Sequence, residues 1–190
     1  MAVRAVVETY EDPLYWEQPK LEQKHYFMPL QWINYFELTN DKVLDVGCGT
    51  GFFIHGFVYH GVDCYGVEKS KYAIEHCDPE VKDRIQEGSA TALPHHDNSF
   101  DLVLLLDLLE HLETKEEVEK ALQEARRVTK KYVLFSIPFL GENADLFNDK
   151  THRIFKVREW WVYQISKWFK LLHTPKHFYW AHGILIGVKE

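Results

Sequence analysis

The chain has 190 residues, of which 46% are hydrophobic and 15% aromatic, so it is long enough for one α/β domain with a sizeable core. Its formal net charge is −7, and no basic cluster exceeds Arg126-Arg127 with Lys130-Lys131. That balance argues against a nucleic-acid surface.

Residues 1–40 precede the first strand. Tyr10, Tyr15 and Trp16 are read as a cap over a ligand cleft, with aromatic packing as the alternative, and a helical pattern runs from Lys24 to Phe36. The first strand, 42–46, leads into Asp45-Val46-Gly47-Cys48-Gly49-Thr50-Gly51. Alternating glycines let the backbone turn sharply and approach a ligand closely. A helix from about Gly51 to His60 should follow, with its first N–H groups near a polar ligand. The spacing is not that of a dinucleotide fingerprint, because the third glycine would fall at Phe52 or Ile54. It is not a P-loop either, which needs a Lys after its last glycine.

A second strand, 62–67, ends at Glu68. This acid follows the first glycine by about 20 residues, the offset of ribose-binding acids in βαβ folds. A carboxylate only accepts hydrogen bonds, so it can receive both ribose protons. Strand 84–87 opens the loop Glu87-Gly88-Ser89-Ala90-Thr91-Ala92-Leu93-Pro94. The turn signal Asp97-Asn98-Ser99 precedes Leu102–Leu106, a continuous apolar run expected of a central strand buried on both faces. Asp107 falls at its end, on the ligand side of the sheet. Next come Leu109-Glu110-His111-Leu112, a helix from Thr114 to Val128 capped by Arg126 and Arg127, and a strand at 131–136. Alternating strands and helices imply a parallel sheet. The irregular stretch 137–156 begins at the carboxyl edge of the sheet and is expected to wall an acceptor pocket. A helix at about Val157–Lys167 and two strand-like runs, Phe169–His173 and Ile184–Val188, close the chain. With no helix between them, the runs should form an antiparallel hairpin.

Four stations carry a family resemblance over roughly residues 40–140. They are Asp45-x-Gly47-x-Gly49-x-Gly51, Glu68, the loop at Ser89-Ala90, and Phe100-Asp101-Leu102-Val103 followed by Leu109-Glu110-His111-Leu112. Together they closely resemble the class I S-adenosylmethionine-dependent methyltransferases, in the branch that includes quinone, sterol and sugar methyltransferases. The resemblance implies a Rossmann-like three-layer αβα sandwich whose seven-stranded, mostly parallel sheet ends in an antiparallel hairpin. It implies one domain over 1–190: cap and helix at 1–40, cofactor core at 41–136, and substrate-side loop, helix and hairpin at 137–190. The implied cofactor is S-adenosylmethionine, with S-adenosylhomocysteine as product. The implied cofactor residues are Asp45, Gly47, Cys48, Gly49, Gly51, Glu68, Ser89, Ala90 and Asp107. The family commonly has Asp-Ala where this chain has Ser89-Ala90, so backbone groups there can carry the adenine contact. Asp149-x-Thr151-His152 also resembles a pattern common in this branch.

In the implied reaction a nucleophile displaces the methyl from sulfur in line, so alignment is the main task. A general base is needed only for a protonated acceptor. His111 is the first candidate, then His152 and Asp107, because an imidazole titrates near neutrality. The acceptor is expected to be a small molecule, contacted by Tyr10, Tyr15 and Trp16. The alternatives are a binding protein for the same cofactor that transfers no methyl, or a protein methyltransferase. No metal is expected: His173-x-x-x-His177 has suitable spacing, but Pro175 lies between the two, and His95-His96 is a loop pair. The aromatics Trp160, Trp161, Tyr163, Trp168, Phe178, Tyr179 and Trp180 read as core or a dimer surface. Cys48, Cys64 and Cys77 are odd in number and lack C-x-x-C spacing, as in a reduced cytoplasm. Met1–Glu8 is too short and too quickly acidic for a signal peptide, and no apolar run nears the roughly 20 residues of a membrane span. A cytoplasmic monomer or homodimer, without nucleic-acid partner or membrane insertion, is the expectation.

Overall fold

The sheet runs in the order β3-β2-β1-β4-β5-β7-β6, a topology that puts the ends of β1 and β4 side by side. The computed structural model describes residues 22–142, 149–175 and 183–190. Helix α1 (Glu22–Phe36) leads into β1 (Lys42–Val46), α2 (Phe52–Tyr59), β2 (Asp63–Glu68), the short α3 (Lys71–Glu75) and β3 (Ile85–Glu87). The chain then returns across β1 to β4 (Phe100–Leu106), followed by a 3₁₀ turn at Leu109–His111, α4 (Lys115–Val128) and β5 (Thr129–Ile137). Helix α5 (Arg158–Ser166), β6 (Lys170–Leu172) and β7 (Gly183–Val188) complete it. Strands β1 to β5 pair in parallel, and β7 is antiparallel to both β5 and β6. The expected sandwich and terminal hairpin are therefore present.

Alternation along β4 builds the three layers. Leu102, Leu104 and Leu106 face a core with Met28 and Trp32 of α1 and Phe57 of α2. Val103 and Leu105 face the opposite core, with Val118 and Leu122 of α4 and Trp161 of α5. Such two-sided burial is what a continuous apolar strand encodes. Helix α4 starts where Thr114 Oγ1 accepts the Glu117 N–H at 3.2 Å, while the Glu117 carboxylate accepts the Glu113 N–H at 2.8 Å. The first bond satisfies a donor that a helix start leaves unpaired, and the second ties the residue before the cap to the first turn.

Arg126 and Arg127 sit in the last turn of α4, where cations offset the dipole as expected, and both guanidiniums also reach beyond the helix. Arg126 donates to the carbonyls of Trp168 and Glu190. Arg127 donates to Glu124, to Asp97 and to the carbonyls of Leu93 and His95, tying the helix to the loop after β3. Of the aromatic group, Trp161 is core and Tyr163 is exposed; Phe178, Tyr179, Trp180 and His177 lie outside the described residues. Tyr10, Tyr15 and Trp16 lie outside them too. No helix among the described residues is long and apolar enough to cross a membrane.

Candidate functional site

The chain builds outward from β1 to β3 and then crosses back to β4, so the loops after β1 and β4 diverge and leave a crevice. Ligands of open α/β sheets bind at such a switch point. Here the crevice is a cleft of about 390 Å³, within the usual range for small-molecule sites. Its walls come from Asp45 and the glycine loop, from Glu68 and Lys69, from Gly88–Thr91, and from the segment after β4.

The glycine loop is shaped from two sides. Gly47 adopts φ +76°, and a Cβ there would lie 2.8 Å from Leu108 Cδ1. Beneath the loop, a Cβ on Gly66 of β2 would meet Cys48 Sγ at 2.4 Å and Ile54 Cδ1 at 2.5 Å. Only a glycine in β2 lets the loop and α2 settle so closely onto the sheet. Cys48 lines the cleft, but burial, and then the charges of Asp45 and Glu68, push its thiol well up. A protonated thiol is a poor nucleophile, so Cys48 contributes a small, unreactive side chain to the wall.

Glu68 is 6% exposed, and its carboxylate is largely committed. Oε2 accepts the Gly49 N–H at 2.8 Å, and Oε1 accepts the N–H groups of Lys69 and Ser70, each at 2.8 Å. A carboxylate has about four acceptor positions. This geometry therefore leaves room for one further donor rather than the two ribose hydroxyls anticipated from the sequence. Asp45 lies in the same cleft. Burial, and then the charge of Glu68, raise its carboxyl to about 7. Two carboxylates with little solvent make the cleft floor suited to a cationic ligand.

Asp107 ends β4 in the left-handed region, at φ 49°, a conformation that aspartate tolerates better than most residues. Its N–H donates to Ser136 O at 2.9 Å, and the Ser136 hydroxyl donates to its carboxylate. Ser89 and Ala90 both line the cleft. The Ser89 hydroxyl is in contact with Thr91, whose N–H it accepts at 3.2 Å and whose hydroxyl lies 2.9 Å away. Gly51 is the exception among the nine expected cofactor residues. It does not line the cleft; at φ +84° it turns the start of α2 against Val81.

His111 reaches the cleft wall, whereas His152 sits behind it, with ring centroids 4.5 Å apart. Thr151 joins the two segments. Its hydroxyl donates to Asp149 Oδ1 at 2.6 Å, so its oxygen receives the N–H of His111 Nδ1 at 3.0 Å. Burial, and then His152, hold His111 down to about 4. Glu110 is driven well up, first by burial and then by Asp107. Of the stretch 137–156, no described residue lines the cleft; residues 149–154 brace His111 from behind instead. Residues missed from the sequence include Phe52, Phe53, Lys69, Leu112, Glu113 and Glu117, all on the walls. Phe52, Phe53, Lys69 and Glu113 adjoin recognised stations and Leu112 ends one, so adjacency was the available signal there; Glu117, a turn into α4, had none.

A family model described as a methyltransferase domain matches residues 44–137. The norajmaline N-methyltransferase of Rauvolfia serpentina is 31% identical over 110 residues, covering 52% of this chain and 37% of the relative. The chain spans about a third to a half of the curated relatives it matches, 36% to 53% for the first four. Among solved structures, the PH0226 protein of Pyrococcus horikoshii superposes with TM-score 0.70 at 21% identity, covering 96% of this chain and 95% of that one. The magnesium protoporphyrin IX methyltransferase of Synechocystis, solved with bound S-adenosylhomocysteine, gives TM-score 0.68 at 17% identity over 90% of this chain and 84% of that one. These structural likenesses carry the fold.

Proposed function

We propose that the chain is a class I S-adenosylmethionine-dependent methyltransferase that methylates a small-molecule acceptor, using S-adenosylmethionine bound in the cleft at the β1/β4 switch point. The observation that carries this reading is the acidic floor made by Asp45 and Glu68 beside the glycine loop. S-Adenosylmethionine carries a positive sulfonium and an ammonium, and such a floor suits both. When bound, it supplies a methyl group already activated by the charge on sulfur.

The residues present fit that group. Glu68 has one acceptor position left for a ribose hydroxyl. Gly47 and Gly49 bring bare backbone to the floor, and Gly88, Ser89 and Ala90 offer backbone groups to the base. Asp107 and Leu108 close the opposite wall. The chain's main catalytic contribution is alignment inside a shielded cleft, which can supply several kcal/mol, up to about 7–11. His111, braced by Thr151 and backed by His152, marks the part of the cleft wall where we place the acceptor. A small acceptor is supported by relatives named for such activities, among them norajmaline N-methyltransferase, and by the net charge of −7, which disfavours RNA.

Calorimetric titration of the protein with S-adenosylmethionine and S-adenosylhomocysteine tests the reading, followed by an acceptor screen that detects S-adenosylhomocysteine. Saturable binding in wild type that weakens in Glu68→Ala is expected. A folded wild type that binds neither compound would overturn it.

A further inference from the structure

Behind the cleft wall, Glu110, His111 and His152 bring one ligand atom each to within 4.8 Å of one another. We propose that these three side chains form a binding site for a divalent first-row metal ion of the zinc type. The site goes beyond the methyl-transfer reading and does not depend on it.

The first argument is a buried oxygen without a partner. Glu110 is 1% exposed, and among the described residues no donor reaches its Oε2. Burying a carboxylate oxygen unpaired is costly. A divalent cation resolves that cost by neutralising Glu110 directly, and two imidazoles next to it are the usual companions of carboxylate around zinc.

The second argument is orientation. His111 Nδ1–H is engaged by Thr151, and Thr151 is fixed by Asp149. That assigns the lone pair to Nε2, which lies 4.0 Å from Glu110 Oε1. A metal-bound histidine typically has its other nitrogen held in this way by an outer partner that leads to a carboxylate. The third argument is rigidity. The N–H groups of Arg153 and Ile154 both donate to the Glu110 carbonyl, at 2.8 and 3.0 Å, and lock the segment bearing His152 against the turn bearing Glu110 and His111. Zinc bonds of about 2.0–2.2 Å bring tetrahedral ligands to roughly 3.4 Å of one another. Closing the cluster therefore takes a decrease of about 1.4 Å or less in the separation of the ligand atoms.

Two imidazoles and one carboxylate select against Mg²⁺ and Ca²⁺, which favour oxygen. Three protein ligands also leave open positions, as catalytic zinc sites do. Because His111 belongs to both the cluster and the cleft wall, the open side adjoins the cleft. An ion there would polarise an oxygen-bearing acceptor and lower its pKa. That use rests on the methyl-transfer reading; binding of the ion does not.

The test uses the full chain, stripped with chelator and reconstituted with Zn²⁺, without cofactor or acceptor. Zinc per chain is measured by elemental analysis after gel filtration, and affinity by competition with a chromophoric chelator. One tightly held Zn²⁺ is expected, with a higher melting temperature. Glu110→Gln and His152→Ala should each weaken it by at least about tenfold, while His55→Ala, at the distant pair with Glu80, should not. Circular dichroism of the metal-free variants checks folding. Should Glu110→Gln fail to fold, His152→Ala at the half-buried ligand still decides. Absence of stoichiometric zinc in wild type, or zinc held equally by folded His152→Ala, would overturn the proposal. Failure of methyl transfer with zinc bound would leave it standing.

Discussion

The Glu68 carboxylate at the end of β2 accepts the Gly49 N–H of the β1 loop at 2.8 Å. The same carboxylate holds the N–H groups of Lys69 and Ser70. A single buried side chain thus shapes two adjoining loops of the cleft, and its role is structural before any ligand arrives. Acid and glycine loop form one unit: the loop supplies donors that must be satisfied, and the acid is the nearest group able to satisfy them.

Replacing Glu68 by Ala should therefore have two effects. Three N–H groups lose their acceptor, and each buried unsatisfied donor costs roughly 1–3 kcal/mol, less where water enters. A stability loss of about 2–4 kcal/mol in urea unfolding is expected. Affinity for S-adenosylhomocysteine should fall about tenfold or more in calorimetry. Full affinity in a destabilised mutant would confine Glu68 to loop support.

Gly66 permits the close approach of the loop. In Gly66→Ala the new methyl would stand 2.4 Å from Cys48 Sγ and 2.5 Å from Ile54 Cδ1. Overpacking of this kind costs about 1–3 kcal/mol. A lower melting temperature and weaker cofactor binding should appear together, since the displaced residue belongs to the cleft. The double variant Gly66→Ala with Ile54→Val should recover part of the loss, as a double-mutant cycle would reveal.

Most of the scaffold was legible because its signals are local. The apolar run at Leu102–Leu106, the alternating glycines and the two closely spaced strand-like runs at the end of the sequence each declare their element within a few residues. The site was legible where the fold template fixes it: Asp45, Glu68, Ser89, Ala90 and Asp107 all reach the cleft. What stayed hidden depends on contacts between distant segments. Gly51 shares the spacing of Gly47 and Gly49, yet it packs toward Val81 because α2 must start there. The meeting of Thr151 with His111 spans 40 positions, and no periodicity encodes it. The His111–His152 pair was accordingly read as two separate candidates, and Glu110 only as part of a motif. The second role of Arg127, holding a loop more than 30 positions upstream, has no local signal either.

That Arg127 anchor gives another expectation. The guanidinium links α4 to the loop that carries Ser89 and Ala90, through Leu93 O, His95 O and Asp97. Hydrogen bonds from a charged donor contribute more than neutral ones, roughly 1.5–3 kcal/mol, but this group is partly exposed and solvent screens part of it. Arg127→Ala should lower stability by about 1–2 kcal/mol. Hydrogen exchange should speed up across 88–97 before it does in β4 or β5. Uniform acceleration over the sheet would show that the anchor serves global stability rather than the loop.

On the proposed function, Asp45 should make cofactor binding depend on pH. Its carboxyl is raised to about 7 from an ordinary 3.8, so the folded protein holds a proton that the unfolded chain has lost. The stability tied to that proton is fully present below pH 4 and falls away as pH rises toward and through 7. Ligand binding runs the opposite way, because a cationic ligand favours the ionised carboxylate that forms above 7. Affinity for S-adenosylmethionine should rise from pH 6 to pH 8. Affinity for S-adenosylhomocysteine, which lacks the sulfonium charge, should rise less. Asp45→Asn should flatten both profiles and remove the loss of stability between pH 4 and 7. Calorimetry at several pH values in buffers of differing ionisation enthalpy measures the effect directly, since binding near pH 7 should release a proton in wild type and none in the variant. Identical proton release in both would place the titrating group elsewhere in the cleft.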